Sequence, residues 1–238
     1  MNGSLIECRS LSKSYGNSIV LDDINLQIPR GQIIGLLGKN GAGKSTLMKL
    51  IMGLLVPTKG EILFNGKPIG ATSNANISFL PDCSYLDSSR TISQTLRLFD
   101  DFYDNFDLDK ATKLVAALKL DLNAELKSLS KGMLEKTQLV LTISRNVDLY
   151  ILDEPIGGVD PATRDAVLRL ILKHINSGAS VLISTHIISD VEKNLDHVII
   201  LNDGQLILSE NASALKKRTK KSIDQFFREE FKDVLEDF

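Results

Sequence analysis

Cysteine, long apolar runs and excess charge are all scarce in this sequence. Its 238 residues include two cysteines, Cys8 and Cys83, which lie far apart and have no metal-ligand spacing. This excludes a disulfide framework of the kind that stabilises small secreted domains, and we expect both thiols to be reduced and structural, as in the cytosol. No apolar run approaches the roughly 18 residues of a membrane span. No basic segment leads into an apolar one at the N-terminus, so we expect no secretory signal.

The numbers of basic and acidic residues in the sequence are nearly equal. The formal net charge is −2, with 28 basic and 30 acidic residues, which gives no support for a nucleic-acid partner bound through bulk charge. Apolar residues make up 43% of the chain, enough for a substantial core in one large domain or in a core with a subdomain. We find no internal repeat and no low-complexity tract, so function must be sought in local motifs.

A glycine-rich motif lies between an apolar run and a helical pattern. It reads G-x-x-x-x-G-K-S, follows the run Ile33 to Leu37, and precedes the helical spacing of Leu47, Leu50 and Ile51. This strand–loop–helix context favours a phosphate-binding loop over a glycine-rich turn that carries Lys-Ser by chance. The residues expected to contact phosphate are Gly38, Lys39, Asn40, Gly41, Ala42, Gly43, Lys44, Ser45 and Thr46.

The chemistry of this loop follows from its residue types. Glycine lets the backbone turn sharply and present bare N–H groups to phosphate oxygens. The helix that begins near Lys44 directs the positive end of its dipole at the same anion. Lys44 adds a full charge for the β- and γ-phosphates, and the Ser45 hydroxyl is suited to Mg²⁺.

The first third of the chain predicts strands around this loop. Short apolar runs from residue 5 to 28 alternate with turn residues and indicate short antiparallel strands. Residues 61–69 predict a hairpin, because Asn65-Gly66 is a strong two-residue turn signal. Residues 77–80 predict one more short strand, which Pro81 closes.

The remainder alternates helices and strands. From about 91 to 127 the spacing is helical and no strand intervenes, which indicates a helical insert. Ser130 has the chemistry of an N-cap for a helix towards Arg145. The order beyond it is a buried strand at 149–152, a helix at 161–176, a buried strand at 181–184 and a hairpin at 198–208. We therefore predict an α/β fold with a mostly parallel sheet, an N-terminal antiparallel β subdomain and a helical insert.

Two carboxylates, Asp153 and Glu154, follow the strand at 149–152. Ligands of open parallel sheets bind at the carboxyl ends of strands, so both side chains should lie near the phosphates. An isolated Asp-Glu pair is normally a solvated strand end, but the apolar strand and the upstream loop reverse that preference. We assign Asp153 to the metal and Glu154 to the attacking water.

With these motifs, the sequence closely resembles the nucleotide-binding subunits of ATP-binding cassette (ABC) transporters. Several motifs occur in family order over nearly the whole chain up to about Ser209. Besides the phosphate loop and the Asp-Glu strand, the matches are Tyr15, Asp82, the signature Leu129-Ser130-Lys131-Gly132-Met133, the loop Gly157-Gly158-Val159-Asp160, and His186. The resemblance implies an ABC ATPase fold that binds ATP and Mg²⁺.

The resemblance also implies a role for each match. Tyr15 would stack on adenine, or else be a surface turn aromatic. Asp82 would contribute to the metal site. Ser130 and Gly132 would meet the γ-phosphate held by a second subunit in a head-to-tail dimer, and Asp160 would reach across it. Ser130 and Asp160 can also be interpreted as helix N-caps. For Asp160, capping a helix is compatible with a contact across the dimer. His186 would act in catalysis with Glu154 and Lys44 by holding the γ-phosphate and the water.

Three positions depart from the family pattern. Asp82 replaces the usual Gln and adds negative charge beside Asp153 and Glu154, with an effect on Mg²⁺ affinity or on coupling that the sequence leaves open. Lys131 replaces a glycine and Met133 a glutamine. The signature, with Phe102-Tyr103-Asp104-Asn105-Phe106-Asp107, resembles bacterial ABC-2 type exporters of drugs, antimicrobial peptides or peptide toxins.

The expected division is an ABC ATPase domain at 1–210, with a helical subdomain at about 83–146, and an amphipathic helical tail at 211–238. The basic run from Lys216 to Lys221 is either a solvated helix end or a contact for anionic lipid. The apolar face of the tail should pack on its own domain or on a second subunit, in preference to a membrane. That face consists of Ile223, Phe227, Phe231, Val234, Leu235 and Phe238.

The function expected from the resemblance is an ATPase that powers a separate integral membrane permease subunit, at the cytoplasmic face of the membrane, as a homodimer or a heterodimer. The alternatives are a non-transport ABC protein in DNA repair or ribosome work, and a nucleotide-sensing module. Repair members carry long coiled coils, but no sustained heptads occur here. Ribosome-acting members usually carry two cassettes, but one phosphate loop is present. Intact Lys44, Asp153, Glu154 and His186 argue against the sensor.

Overall fold

A computed structural model describes residues 3–157 and 159–231. Its strands, in chain order, are β1 (Ile6–Tyr15), β2 (Ser18–Ile28), β3 (Ile33–Leu37), β4 (Lys59–Phe64), β5 (Lys67–Pro68), β6 (Ile77–Leu80), β7 (Leu149–Asp153), β8 (Ser180–Ser184), β9 (His197–Asn202) and β10 (Gln205–Asn211). Its helices are α1 (Lys44–Ile51), α2 (Ala71–Ala75), α3 (Ile92–Phe102), α4 (Leu108–Ala117), α5 (Lys131–Ile143), α6 (Pro161–His174), α7 (Ile188–Val191), α8 (Ala212–Thr219) and α9 (Ile223–Glu230). None of the helices in the described ranges is long and apolar enough to cross a bilayer.

The N-terminal sheet is antiparallel, in the order β2-β1-β4-β5. Its first two strands are 10 and 11 residues long, so the prediction of short strands is wrong in this respect. The β1–β2 pairing contains register shifts, so polar residues that resemble turns lie within continuous strands. Ser10 and Asp23, which lie in these strands, have positive φ. The Asn65-Gly66 turn is confirmed, with positive φ at both residues.

The second sheet has the order β10-β9-β3-β8-β7-β6, in which all neighbours are parallel except β10 and β9. The packing of β7 explains why its residues from Leu149 to Leu152 are apolar. Tyr150 and Leu152 pack into one hydrophobic core, with the helical insert, while Leu149 and Ile151 pack into the other, with α1 and the antiparallel sheet. A parallel strand covered on both faces requires such a continuous apolar run.

The helical insert contains α3, α4, a 3-10 turn at Leu126–Ser128 and α5. Within its described residues the only β pairings are isolated bridges, as the sequence predicts. Ile92, Leu96 and Leu114, which the helical spacing places on apolar faces, are buried. The short helix α2, which follows the hairpin, was not predicted.

Arg145 anchors the insert to the far end of the sheet. Its Nη1 and Nη2 donate to the carbonyls of Ile77 and Ala75, each at 2.7 Å, and its Nε donates to Asn105 Oδ1 at 3.1 Å. The guanidinium also lies 3.8 Å from the ring centroid of Tyr103, and its burial lowers the pKa of Arg145. These contacts join the end of α5, the α3–α4 connection and the start of β6.

The tail packs on its own domain. Ile223 is fully buried, and Phe226, Phe227 and Phe231 pack against the core. In the basic run, Arg218 pairs with Glu210 and Lys221 with Glu229, and Lys216 Nζ donates to the Glu192 carbonyl at 3.1 Å. The predicted apolar positions Val234, Leu235 and Phe238 lie outside the described residues.

The two sheets meet under the phosphate loop. A Cβ placed on Gly43, whose φ is +99°, would lie 2.6 Å from Leu21 Cδ2 and 2.9 Å from the Val20 carbonyl oxygen. A Cβ on Gly41, whose φ is +83°, would meet nothing within 4 Å. β2 therefore supports the loop at Gly43 from below.

This contact yields a stability prediction for the nucleotide-free protein. Alanine at either glycine costs about 1–2 kcal/mol of unfolding free energy, because both φ values are left-handed. Gly43→Ala should cost about 1–3 kcal/mol more than Gly41→Ala, since its Cβ displaces Leu21 and a backbone carbonyl. Denaturant unfolding of the two variants measures the difference, and equal losses would contradict the close approach of β2.

Candidate nucleotide site

The glycine-rich loop connects β3 to α1, as the sequence predicts. Gly38, Ala42 and Gly43 are buried, Asn40 and Gly41 are exposed, and Lys39, Ser45 and Thr46 are partly buried. Gly43 is the residue that caps α1, in a left-handed conformation, and no side chain occupies the cap. The free N–H groups of the first helical turn therefore face the loop, where an anion binds favourably.

Lys44 is held inside this loop. It is buried, and its Nζ donates to the carbonyls of Gly38 at 2.8 Å and Lys39 at 3.0 Å. Burial lowers the pKa of Lys44, while the nearby charges of Glu154 and Asp153 act to raise it. The structure thus brings the loop lysine and both predicted carboxylates into one electrostatic neighbourhood.

Asp153 ends β7 and is buried. Its Oδ1 accepts a hydrogen bond from Ser184 Oγ at 2.5 Å. Ser184 ends β8, which lies between β7 and β3, and pairs with Asp153 on one side and Leu36 on the other. Ser184 is a site residue that the motifs missed. A hydroxyl at the carboxyl end of a buried strand, just before Thr185-His186, was the available signal.

Glu154 and His186 lie opposite each other at the carboxyl ends of β7 and β8. Glu154 Oε2 lies 3.0 Å from His186 Nδ1. The Glu154 backbone has a φ of +49°, and its N–H donates to the carbonyl and the hydroxyl of Ser184, at 3.2 and 3.1 Å. A non-glycine residue in this conformation costs energy that the surrounding contacts must offset.

A cleft of about 550 Å³ opens between the helical insert and the ends of the strands. It brings together several predicted site residues, which are Asp82, Ser130, Gly132, Asp153, Glu154 and Asp160. Tyr15 lies outside this cleft, at the end of the β1–β2 hairpin, half exposed and with Lys13 Nζ 5.1 Å from its ring centroid.

Ser130 and Asp160 cap helices, as their local interpretation predicts. Ser130 Oγ accepts from the Met133 N–H at 3.3 Å and begins α5. Asp160 accepts from the Ala162 N–H at 3.1 Å and the Thr163 hydroxyl at 2.6 Å. The hydroxyl contact is the main reason that the pKa of Asp160 lies below its usual value. Gly158, in the same loop, lies outside the described residues.

The residues present fit Mg²⁺ held between protein and phosphate. Asp153 offers a buried carboxylate beside Lys44, and Ser45 offers a hydroxyl in the first turn of α1. Mg²⁺ bound to phosphates takes one or two carboxylates and keeps several waters. It does not need a cluster of three acidic residues, and the described part of the chain holds no such metal-binding group. Asp82 shares the cleft but is exposed.

A phosphate loop at the end of β3, with an acidic strand end two strands away, defines a P-loop nucleotide-binding ATPase. The family profile of ABC transporters matches residues 21–157. The chain belongs to this family and is an ABC ATPase, which is the ATP-binding component of such transporters.

Individual proteins agree with this assignment. The chain is 29% identical over 212 residues to Nod factor export ATP-binding protein I of Cupriavidus pinatubonensis, covering 86% of this chain and 65% of that protein. It is 32% identical over 225 residues to the bacitracin transport ATP-binding protein BcrA of Enterococcus faecalis, covering 91% and 72%. A solved ATP-binding subunit of an ABC transporter superposes with a TM-score of 0.86 at 30% identity, covering 95% of this chain and 99% of that one. The predicted ABC ATPase fold is thereby confirmed.

The position of Lys44 yields a binding prediction. Lys44→Ala should weaken ATP affinity by about 10- to 100-fold, because a charge-assisted contact to phosphate is lost. Lys49→Ala is the matched control, since Lys49 is exposed on the same helix, and should bind as the unmodified chain does. Equilibrium titration with a fluorescent ATP analogue measures both, and equal affinities would contradict the assigned role.

Proposed function

We propose that this chain binds ATP with Mg²⁺, hydrolyses it at a head-to-tail dimer interface, and thereby drives a separate integral membrane permease subunit in export. The observation that carries the proposal is the convergence of Lys44, Asp153, Glu154 and His186 at the carboxyl ends of three adjacent strands. Phosphoryl transfer requires little covalent chemistry from a protein and depends on such positioning.

Each residue at this edge has a role in the proposal. Lys44 exchanges its two loop carbonyls for the β- and γ-phosphate oxygens when ATP enters. Ser45 and Asp153 would hold Mg²⁺, which would neutralise negative charge on the phosphates. The Ser184 hydroxyl fixes one oxygen of Asp153 and so orients the other. Tyr15 offers a half-exposed ring for adenine, while Lys13 lies against that ring.

Glu154 is the group that orients the attacking water and accepts its proton. Its carboxylate is 23% exposed, so water reaches it, and its backbone is fixed by Ser184. His186 holds Glu154 Oε2 through Nδ1, which leaves its other ring nitrogen for the γ-phosphate. The alternative of a nucleotide sensor without hydrolysis has no specific observation in its favour.

A second subunit completes the site in this proposal. The N-terminus of α5 carries Ser130 and Gly132, and a Cβ on Gly132 would meet nothing within 4 Å, so an incoming phosphate can approach the backbone there. Asp160 would contact the opposing subunit while it caps α6. The partner would be a second copy of this chain or a sister ATPase.

The permease would dock beside Asp82 and the helical insert, at the cytoplasmic face of the membrane. Large apolar side chains are exposed on this side, since Tyr85 is 52% and Phe102 is 74% exposed. The relatives named for Nod factor export and bacitracin transport support export as the direction. An ABC-2 type exporter of drugs, antimicrobial peptides or peptide toxins is the finer assignment that we propose.

The catalytic assignment predicts a separation of binding from turnover. Glu154→Gln should abolish ATP hydrolysis, retain ATP affinity and favour a stable closed dimer, because the amide cannot accept a proton from water. Asp148→Asn is the matched control, since this exposed residue lies just before β7, at its opposite end. Phosphate release and size-exclusion chromatography with ATP measure the outcomes. Normal hydrolysis by Glu154→Gln would refute the role of Glu154.

The two cysteines offer a test of the docking surface. Burial raises the pKa of the Cys8 thiol to about 12, whereas Cys83 is exposed next to Asp82. A bulky maleimide should label the native chain once, at Cys83, and prevent its retention on washed membranes that contain the permease.

The Cys83→Ser variant is the control for this experiment, because it should stay unlabelled and remain membrane-bound after the same treatment. Peptide mass spectrometry locates the label, and immunoblotting measures the retained fraction. Full retention of the labelled chain would place the docking surface elsewhere.

A further inference from the structure

The loop that follows Glu154 is fixed at both ends by side chains. At its start, His186 Nδ1 lies 3.0 Å from Glu154 Oε2. At its end, Arg164 Nε donates to the carbonyl of Val159 at 3.0 Å. Val159 directly precedes Asp160, so Arg164 reaches back from α6 to hold the backbone of the loop that leads to the proposed subunit interface.

The second contact of Arg164 joins this loop to the histidine segment. Arg164 Nη1 lies 3.4 Å from Asp190 Oδ2, and Asp190 belongs to α7, which begins two residues after His186. The contacts therefore connect Val159, through Arg164 and Asp190, to the segment that carries His186, which in turn contacts Glu154. One short segment holds both ends of the catalytic loop.

Burial distinguishes this ion pair from its neighbour on the same helix. The side chains of Arg164 and Asp190 are 21% and 33% exposed, so the pair is partly shielded from water. Arg169 and Asp165, which form an i,i+4 pair further along α6, are 73% and 68% exposed. Such an exposed ion pair contributes little to stability. A charge-assisted hydrogen bond that is partly shielded from water holds its two side chains more firmly.

α7 is also fixed from its other side. The Asp224 N–H donates to Glu192 Oε2 at 3.2 Å, and Lys216 Nζ donates to the Glu192 carbonyl at 3.1 Å. Ile223 is fully buried where α9 packs on α7. α7 is therefore a fixed anchor, and the contacts of Arg164 tie the position of the Val159 backbone to the segment that carries His186.

We propose that Arg164 is a positioning residue for ATP hydrolysis. It couples the Asp160 loop to the His186 segment, so that closure of a second subunit on Asp160 sets the alignment of His186 with Glu154. This inference rests on the proposed function. The simpler alternative is that Arg164 only stabilises the start of α6, and the two are separable because a structural role would not change kcat selectively.

The test uses the full-length chain and a set of matched variants. Arg164→Met should lower kcat by about tenfold while KM and Kd for ATP stay within about twofold and the unfolding temperature within a few degrees. Arg169→Met should behave as the unmodified chain does. Asp190→Asn should reproduce the Arg164→Met effect, and the double variant should be no worse than either single variant, because both act through one contact.

Arg164→Lys, which keeps the charge, should restore part of the lost kcat, and together with Asp190→Asn it serves if Arg164→Met fails to fold. The inference is overturned if Arg164→Met hydrolyses ATP as Arg169→Met does, if kcat falls only with a matching loss of ATP affinity or of stability, or if the two single effects multiply. An unmodified chain that binds but never hydrolyses ATP, alone or with its permease, overturns the proposed function itself. Normal hydrolysis with a silent Arg164→Met overturns only the coupling.

Discussion

The parallel register of β3, β8 and β7 is the constraint on which the site depends. Ser184 pairs with Leu36 on one strand and with Asp153 on the other, so the three strands end at the same level of the sheet. Polar groups that are remote in sequence therefore meet where each strand gives way to a loop. A slip of one residue in β8 would turn Ser184 away from Asp153, and the orientation of Asp153, Glu154 and His186 would be lost together.

Much of this arrangement is determined by residues that are neighbours in the sequence. The phosphate loop, the apolar run before Asp153 and the Asn65-Gly66 turn each depend on neighbouring residues, because glycine conformations and strand burial are decided within a few positions. The caps at Ser130 and Asp160 are local for the same reason. These features could be predicted, and the family resemblance then supplied their relation to one another.

Contacts between distant segments could not be predicted in the same way. β8 follows β7 in the chain but lies between β7 and β3 in the sheet, and only that order places the Ser184 hydroxyl on Asp153. Arg164 looks like an ordinary exposed-face arginine in the sequence of α6, and its partner Asp190 lies 26 residues further on. The length of β1 and β2 was missed because bulges resemble turns when only residue types are considered.

Arg145 fixes one end of the helical insert to the sheet. Its guanidinium binds the Ala75 and Ile77 carbonyls at the amino end of β6, whereas Ser130 faces the cleft at the opposite edge of the sheet. If the insert turns as a unit about this contact, displacement is smallest at Arg145 and grows with distance from it. The start of α5 would then move furthest, whereas the end of α5, which Thr142 also joins to β6, would stay in place.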